Sequence, residues 1–261
     1  MSTVHITQIT DLHLGSDKSE TLGGVKTFDS FQSVLRATEA RGRGDNLLLL
    51  TGDLASDCQP GAYQLLNQAL FEADKQAIWL PGNHDDIETM KANLSDYPQR
   101  RVFKAGSWGI LLLDSSKPNS PGGHFSEQEL LFAEQGLEEL AGKPVLVAMH
   151  HSPVLVNSAW IDKQQIDNHQ RLYKTLKAHG GVKAVITGHV HQHNDSLWGD
   201  IPVYSTPSSC VQFEKYSADF ALSDQPPGYR WLDLHGDGSL QTGVEFLTDF
   251  DQRCDKNCVG Y

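Results

Sequence analysis

Apolar runs of strand length alternate along the chain with stretches whose apolar residues recur every three to four positions. Val4 to Thr10 reads as a strand. Phe28, Phe31, Val34, Leu35 and Thr38 share one face of a helix, with Thr27 as its N-cap. Asn46 to Leu50 is a buried strand. Ala62, Leu65, Leu66, Ala69 and Leu70 form a second helical stripe, opened by Pro60. Ala77 to Leu80 is the next strand. Ser126 and Glu129 form a capping-box pattern at the head of a helix carrying Leu130, Ala133, Leu137 and Leu140. Val145 to Met149 and Val182 to Thr187 are further buried strands, with a helix around Leu172 and Leu176 between them. Two regions depart from this alternation. Arg101 to Leu113 holds two β-like runs about Ala105-Gly106, which predicts a hairpin. Beyond residue 195 the pattern is all β: Ser196 to Trp198, Val203 to Ser205, Arg230 to Leu234 and Leu240 to Phe246, the last two joined by the turn sequence HGDGS. No linker or repeat interrupts the chain. The expectation is an α/β fold, two facing mixed β-sheets forming a β-sandwich flanked by α-helices, as one domain over residues 1–248 with a C-terminal tail, 249–261.

Composition narrows the function classes. With 261 residues, 39% hydrophobic and 21% charged, the chain can bury a sizeable core like an ordinary globular protein. No apolar run approaches bilayer length, so no membrane association is expected. The N-terminus lacks a basic segment followed by an apolar one, which makes the cytoplasm the expected compartment. A net charge of −12 argues against a nucleic-acid partner. An anionic substrate would need a local source of positive charge. Cys58, Cys210, Cys254 and Cys258 fit no zinc-ribbon spacing and read as free thiols. The oligomeric state stays open between monomer and homodimer.

The informative residues stand at strand ends. The first strand runs into Asp11-Leu12-His13 and the second into Gly52-Asp53. The third runs into Gly82-Asn83-His84-Asp85, the Val145 strand into His150-His151, and the Val182 strand into Gly188-His189-Val190-His191. Ligands of α/β sheets bind at such carboxyl ends. Each fragment alone is weak, but five in this order are not an accident of composition. Imidazole and carboxylate donors without thiolate suit Mn²⁺, Fe²⁺ or Zn²⁺. Seven side chains are too many for one tetrahedral ion and suit two ions sharing a carboxylate.

These motifs, D-x-H, G-D, G-N-H-D, H and G-H-x-H, resemble the binuclear metallophosphoesterase family, whose calcineurin-like fold is a β-sandwich flanked by helices. Several longer segments, QITDLHL, TGDLASD, WLPGNHD, GHVHQ, TPSSCVQF and DFALSDQPPGYRWLDLHGDGSL, resemble the bacterial class III 3′,5′-cyclic AMP phosphodiesterases over nearly the whole chain. The resemblance implies one metal held by Asp11, His13, Asp53 and His191, and another by Asp53, Asn83, His150 and His189, with Asp53 bridging. It implies Fe²⁺ and/or Mn²⁺, with Zn²⁺ also fitting the donors. His84 matches the family's catalytic histidine, and His13, Asn83 and His84 would meet the substrate. A water between two such ions is acidic enough to supply hydroxide near neutral pH. The implied reaction is hydrolysis of cyclic AMP to 5′-AMP. The alternative is another substrate of the same fold, such as a glycerophosphodiester, cyclic GMP or a phosphomonoester, because fold and metals do not set substrate. Two ions, two aspartates and a hydroxide sum to about +1, which supplies the missing local positive charge.

Other positions carry open readings. Gly82 is expected to let the backbone turn sharply. Asp85 either orients its neighbours from behind the site or caps the following helix, and Asp86 reads as that helix's N-cap. Asp57 and His151 could support the ligands or simply close turns, and His193, alternating with His189 and His191, could touch metal. His5, His124, His169, His179 and His235 read as surface or structural. For an adenine pocket the candidates are Thr206, Ser208, Ser209 and Cys210, with Trp160 or Phe213 stacking on the base.

Overall fold

The structure, a computed structural model, describes residues 3–40, 47–94 and 101–260. Eleven strands build two sheets. The strands are β1 (Val4–Ile9), β2 (Leu47–Thr51), β3 (Ala77–Leu80), β4 (Val102–Ala105), β5 (Trp108–Leu112), β6 (Val145–Ala148), β7 (Val182–Thr187), β8 (Asn194–Trp198), β9 (Ile201–Ser205), β10 (Gly228–Leu234) and β11 (Leu240–Phe246). One sheet has the order β11-β10-β1-β2-β3 and the other β8-β9-β7-β6-β5-β4. Both are mixed. In the first, β1, β2 and β3 are parallel and β10 and β11 antiparallel. In the second, β5, β6, β7 and β9 are parallel and the edges β4 and β8 antiparallel.

Alternation along the strands makes the layers. Ile6, Leu49, Ile110, Leu146, Ile186 and Leu232 meet between the sheets. Leu48 and Leu50 face outward onto helices α1 (Thr27–Ala40), α2 (Pro60–Glu72) and α3 (Ile87–Asn93) through Phe31, Tyr63 and Met90. Val147 and Val185 pack against α4 (Glu127–Glu139) and α5 (His169–His179) through Leu137 and Leu172. The result is the expected helix-flanked sandwich. Phe250, Cys254 and Cys258 of the segment past 248 pack against the body; Asp255 N donates to Gly23 O at 2.7 Å and Cys254 Sγ to Ser223 O at 3.1 Å. The four cysteines are free thiols.

Local expectations need three adjustments. Asn46, expected to open the second strand, lies outside the described residues. Thr27 is the first helical residue of α1, and its hydroxyl makes no capping bond. The capping box of α4 is half formed. Ser126 Oγ accepts from Glu129 N at 3.1 Å, but Glu129 Oε1 turns instead to Arg101 Nη1 (2.6 Å) and Asp114 N (2.9 Å), because a buried carboxylate gains more from a cation than from one further amide.

Candidate active site

The carboxyl ends of both sheets meet at one rim. One sheet supplies Asp11 and His13 after β1, Asp53 after β2, and Asn83 and His84 after β3. The other supplies His150 after β6, and His189 and His191 after β7. The loops bind each other, within the first sheet and across the seam. Asp11 N donates to Gly52 O (3.0 Å) and His13 N to Asp53 O (2.9 Å), while His189 N donates to the Asp11 carboxylate (3.0 Å). Asp11, His13, Asp53, His189 and His191 all hold left-handed backbone, with φ between 46° and 67°. That conformation costs about 1–3 kcal/mol per non-glycine residue and concentrates at functional sites.

Glycine is required where the loops close on one another. A Cβ on Gly188 would sit 2.1 Å from Thr10 Oγ1 and 2.8 Å from Asp11 Oδ2. A Cβ on Gly82 would sit 2.1 Å from Asp53 Oδ1. Gly82 has no left-handed backbone, so close approach, rather than the sharp turn expected, is its reason.

The donors fit a metal cluster. Asp11, His13 and His191 place ligand atoms within 4.8 Å of one another, and so do Asp11, Asp53 and His150. His13 Nε2 and His191 Nε2 are 3.2 Å apart, and His191 Nε2 is 3.3 Å from Asp11 Oδ1. His150 Nε2 lies 3.2 Å from both Asp53 Oδ2 and Asn83 Oδ1. Two ligands each about 2.1 Å from one ion stand roughly 3.0–3.4 Å apart, so these edges suit ions of that size. The tautomers agree. His150 Nδ1 donates to Thr51 O and His191 Nδ1 to Val211 O, both at 2.8 Å, which would make Nε2 of each ring the nitrogen available to a metal. Neither ring nitrogen of the buried His189 has a hydrogen-bond partner among the described residues, a cost that a cation removes.

Electrostatics point the same way. Burial holds His13 and His189 well below the usual histidine range, hence neutral. Burial also pushes His150 down, but Asp53 and Asp11 overcome it and raise it to about 9. The same pairing holds Asp53 well below the carboxylate range despite its burial. The buried carboxylates therefore draw positive charge to this point.

His84 stands at the border of the cluster, half-buried. Its backbone N donates to Asp53 Oδ1 and its Nδ1 to Ser56 O, both at 2.9 Å. Asp85 ties the ligand loops together. Its carboxylate accepts from Gly82 N (2.9 Å), Leu54 N and Ala55 N (3.1 Å), and Tyr63 Oη (2.9 Å). The capping role falls to Asp86, which accepts from Thr89 N at 2.8 Å.

Other expectations change. His151 is satisfied by Ser115 Oγ and Pro121 O, so it braces a loop. His193 faces Asp195 at 3.3 Å, and Asp57 closes a turn onto Gln59 N. The proposed base-pocket residues are framework. Thr206 Oγ1 donates to Gln8, Ser208 Oγ to Asp11 O, Ser209 N to Thr10 O and Cys210 N to Ser208 Oγ. All four are buried, because the strand end they follow packs beneath the first ligand loop. Phe213 does not present a face to a base. It stacks on His191, centroids 4.0 Å apart and planes 8° apart, with Trp160 and Phe220 at its edges. Gln8, Tyr63 and Arg230 escaped the sequence reading. For Gln8 and Arg230 the signal was present: each is a polar residue in an inward-facing apolar series.

The family model of the calcineurin-like phosphoesterases matches residues 4–193. The chain is 38% identical over 261 residues to the 3′,5′-cyclic adenosine monophosphate phosphodiesterase CpdA of Escherichia coli (strain K12), covering 99% of this chain and 95% of that one. It is 37% identical to the 3′,5′-cyclic-nucleotide phosphodiesterase alr5338 of Nostoc sp., covering 93% and 92%. Among solved structures, a dimetal phosphatase from Danio rerio shares the fold with a TM-score of 0.59 at 17% identity, covering 88% and 95%. A sandwich whose two sheets deliver aspartate, asparagine and histidine to one rim, matched by that family model over most of its length, places this chain in the calcineurin-like phosphoesterase family.

Proposed function

We propose that the protein is a metal-dependent 3′,5′-cyclic AMP phosphodiesterase that releases 5′-AMP. The observation that carries this reading is the extent of the likeness to the Escherichia coli enzyme. It covers 99% of the chain and continues past residue 193, where the family match stops. Asp11, His13, Asp53 and His191 would hold one ion, and Asp53, Asn83, His150 and His189 the other, with Fe²⁺ or Mn²⁺ as the metals that suit these donors. Such ions, when bound, activate the attacking water and offset charge on the non-bridging phosphate oxygens.

The chain's own residues do the rest. Water oxygen attacks phosphorus, the bond from phosphorus to O3′ breaks, and O3′ must gain a proton. His84 is placed to give it. A carbonyl oxygen only accepts, so Nδ1 keeps the proton shared with Ser56 O; the imidazolium form, which carries a second proton on Nε2, would give that proton to O3′ and return as the neutral ring. His13 and Asn83 border the same space. The acidic chain then works in the cytoplasm on a small anion attracted by a local cationic centre.

The test is hydrolysis by protein stripped of metal and reloaded with Mn²⁺ or Fe²⁺, across cyclic AMP, cyclic GMP, a glycerophosphodiester and a phosphomonoester. Metal-dependent release of 5′-AMP is the expected result. Turnover of the other substrates with none of cyclic AMP would refute the substrate assignment.

A further inference from the structure

The space between the sheets is apolar except at the rim. On β1 the inward series runs Val4, Ile6, Gln8, and on β10 it runs Leu234, Leu232, Arg230. Gln8 and Arg230 are direct cross-strand partners, and both are fully buried. Apolar residues of similar volume are often as stable in such places, or more so, so core stability alone does not call for them.

Their bonds run across the seam. Gln8 Nε2 donates to Thr51 Oγ1 at 2.8 Å in its own sheet and to Thr187 O at 3.2 Å in the opposite one. Thr206 Oγ1, which follows β9 in the opposite sheet, donates to Gln8 Oε1 at 2.6 Å and accepts from Arg230 Nε at 3.2 Å. Arg230 Nη2 reaches Ser205 O (3.0 Å) and Asp195 Oδ1 (2.9 Å), again in the opposite sheet. Thr51 and Thr187 are the last residues of β2 and β7. Each is followed by a glycine and then by Asp53 or His189, and Thr51 O is the acceptor that orients His150.

We infer that Gln8 and Arg230, joined through Thr206, are positioning residues that set the spacing of the two sheets at the rim, so that ligands from each sheet converge on a pair of ions. The inference rests on the two-metal reading above. Donor networks behind metal ligands change affinity by about 10–100-fold when removed, and this network is a side-chain link between the two halves of the proposed ligand set, lying beneath that rim.

The experiment titrates Mn²⁺ into the metal-stripped full chain. Calorimetry reads affinity and stoichiometry, and electron paramagnetic resonance reads the exchange-coupled signal of a paired centre. The variants are Gln8→Leu, which removes all three bonds at similar volume, and Thr206→Val, which removes one hydroxyl. The control is Leu232→Ala, which softens the same interior by a cavity. We expect about 10–100-fold weaker Mn²⁺ binding and loss of the coupled signal in both polar variants, with wild-type affinity in the control. If Gln8→Leu fails to fold, Thr206→Val decides. Wild-type affinity and coupling in the folded polar variants would overturn the inference, as would an equal loss in Leu232→Ala. A wild-type protein that binds no pair of Mn²⁺ ions would instead overturn the two-metal reading beneath it.

Discussion

Asp85→Asn tests whether the ligand loops depend on one buried carboxylate. The native Oδ1 accepts from Leu54 N, Ala55 N and Tyr63 Oη, while Oδ2 accepts from Gly82 N and shares the Leu54 N donor with Oδ1. An asparagine that keeps its oxygen at the Oδ1 place retains three donors and sets an NH₂ group against Gly82 N, 2.9 Å away. One charge-assisted bond is lost, about 1.5–3 kcal/mol, and a buried amide is left without an acceptor, about 1–3 kcal/mol. The sum is about 2.5–6 kcal/mol, a large share of a domain's usual stability, and lowers Tm by about 5–20 °C. Burial, with the Asp53 charge, raises the Asp85 carboxyl to about 6, so the comparison belongs at pH 8, where the carboxylate is ionised. Gly82 leads directly into Asn83 and His84, so kcat should fall along with stability. Urea unfolding and steady-state hydrolysis of cyclic AMP on the same preparations check both. A variant within 1 kcal/mol of wild type (roughly, by the same bond values) with unchanged kcat would refute the reasoning.

Three further outcomes are expected. His84→Ala should lower kcat by about 10²–10⁴ while leaving two metals per chain by elemental analysis; an equal loss of metal would make His84 a ligand instead. Phe213→Ala removes the ring stacked on His191 and should cost about 3–5 kcal/mol, seen in urea melts, and weaken metal binding. A rise in KM for cyclic AMP with intact metal affinity would restore Phe213 to the base pocket. Asp195 is held below the usual carboxylate range by its hydrogen bond from His193 and by Arg230. A depressed folded pKa gives stability that is present above the unfolded value, near 3.8, and is lost as pH falls through the folded one. Asp195→Asn in metal-free protein should therefore flatten the acid side of the stability–pH curve below about pH 4, measured by urea melts from pH 3 to 6.

The sequence by itself determined the elements and the donor types. Strand-length apolar runs, helical stripes and the Ser126 cap are local signals, and local physics decided them. The seven ligand candidates were legible for the same reason: each follows a strand within a few residues, so its address in sequence is its address at the rim. What the tertiary structure decided are relations between distant segments. Asp85 could have capped a helix or braced a loop, and the choice depended on Tyr63 and the Leu54 amide, which reach it only when α2 and β2 pack beside β3. Phe213 carries an aromatic face suited to a base, but His191 occupies that face once β7 ends beneath it. Gln8 and Arg230 each break an inward apolar series, visible in sequence as anomalies. Only the antiparallel pairing of β1 with β10, and the opposing sheet above them, converts two isolated costs into one hydrogen-bonded link. Burial of a polar side chain is decided by its partners, and partners are supplied by the fold.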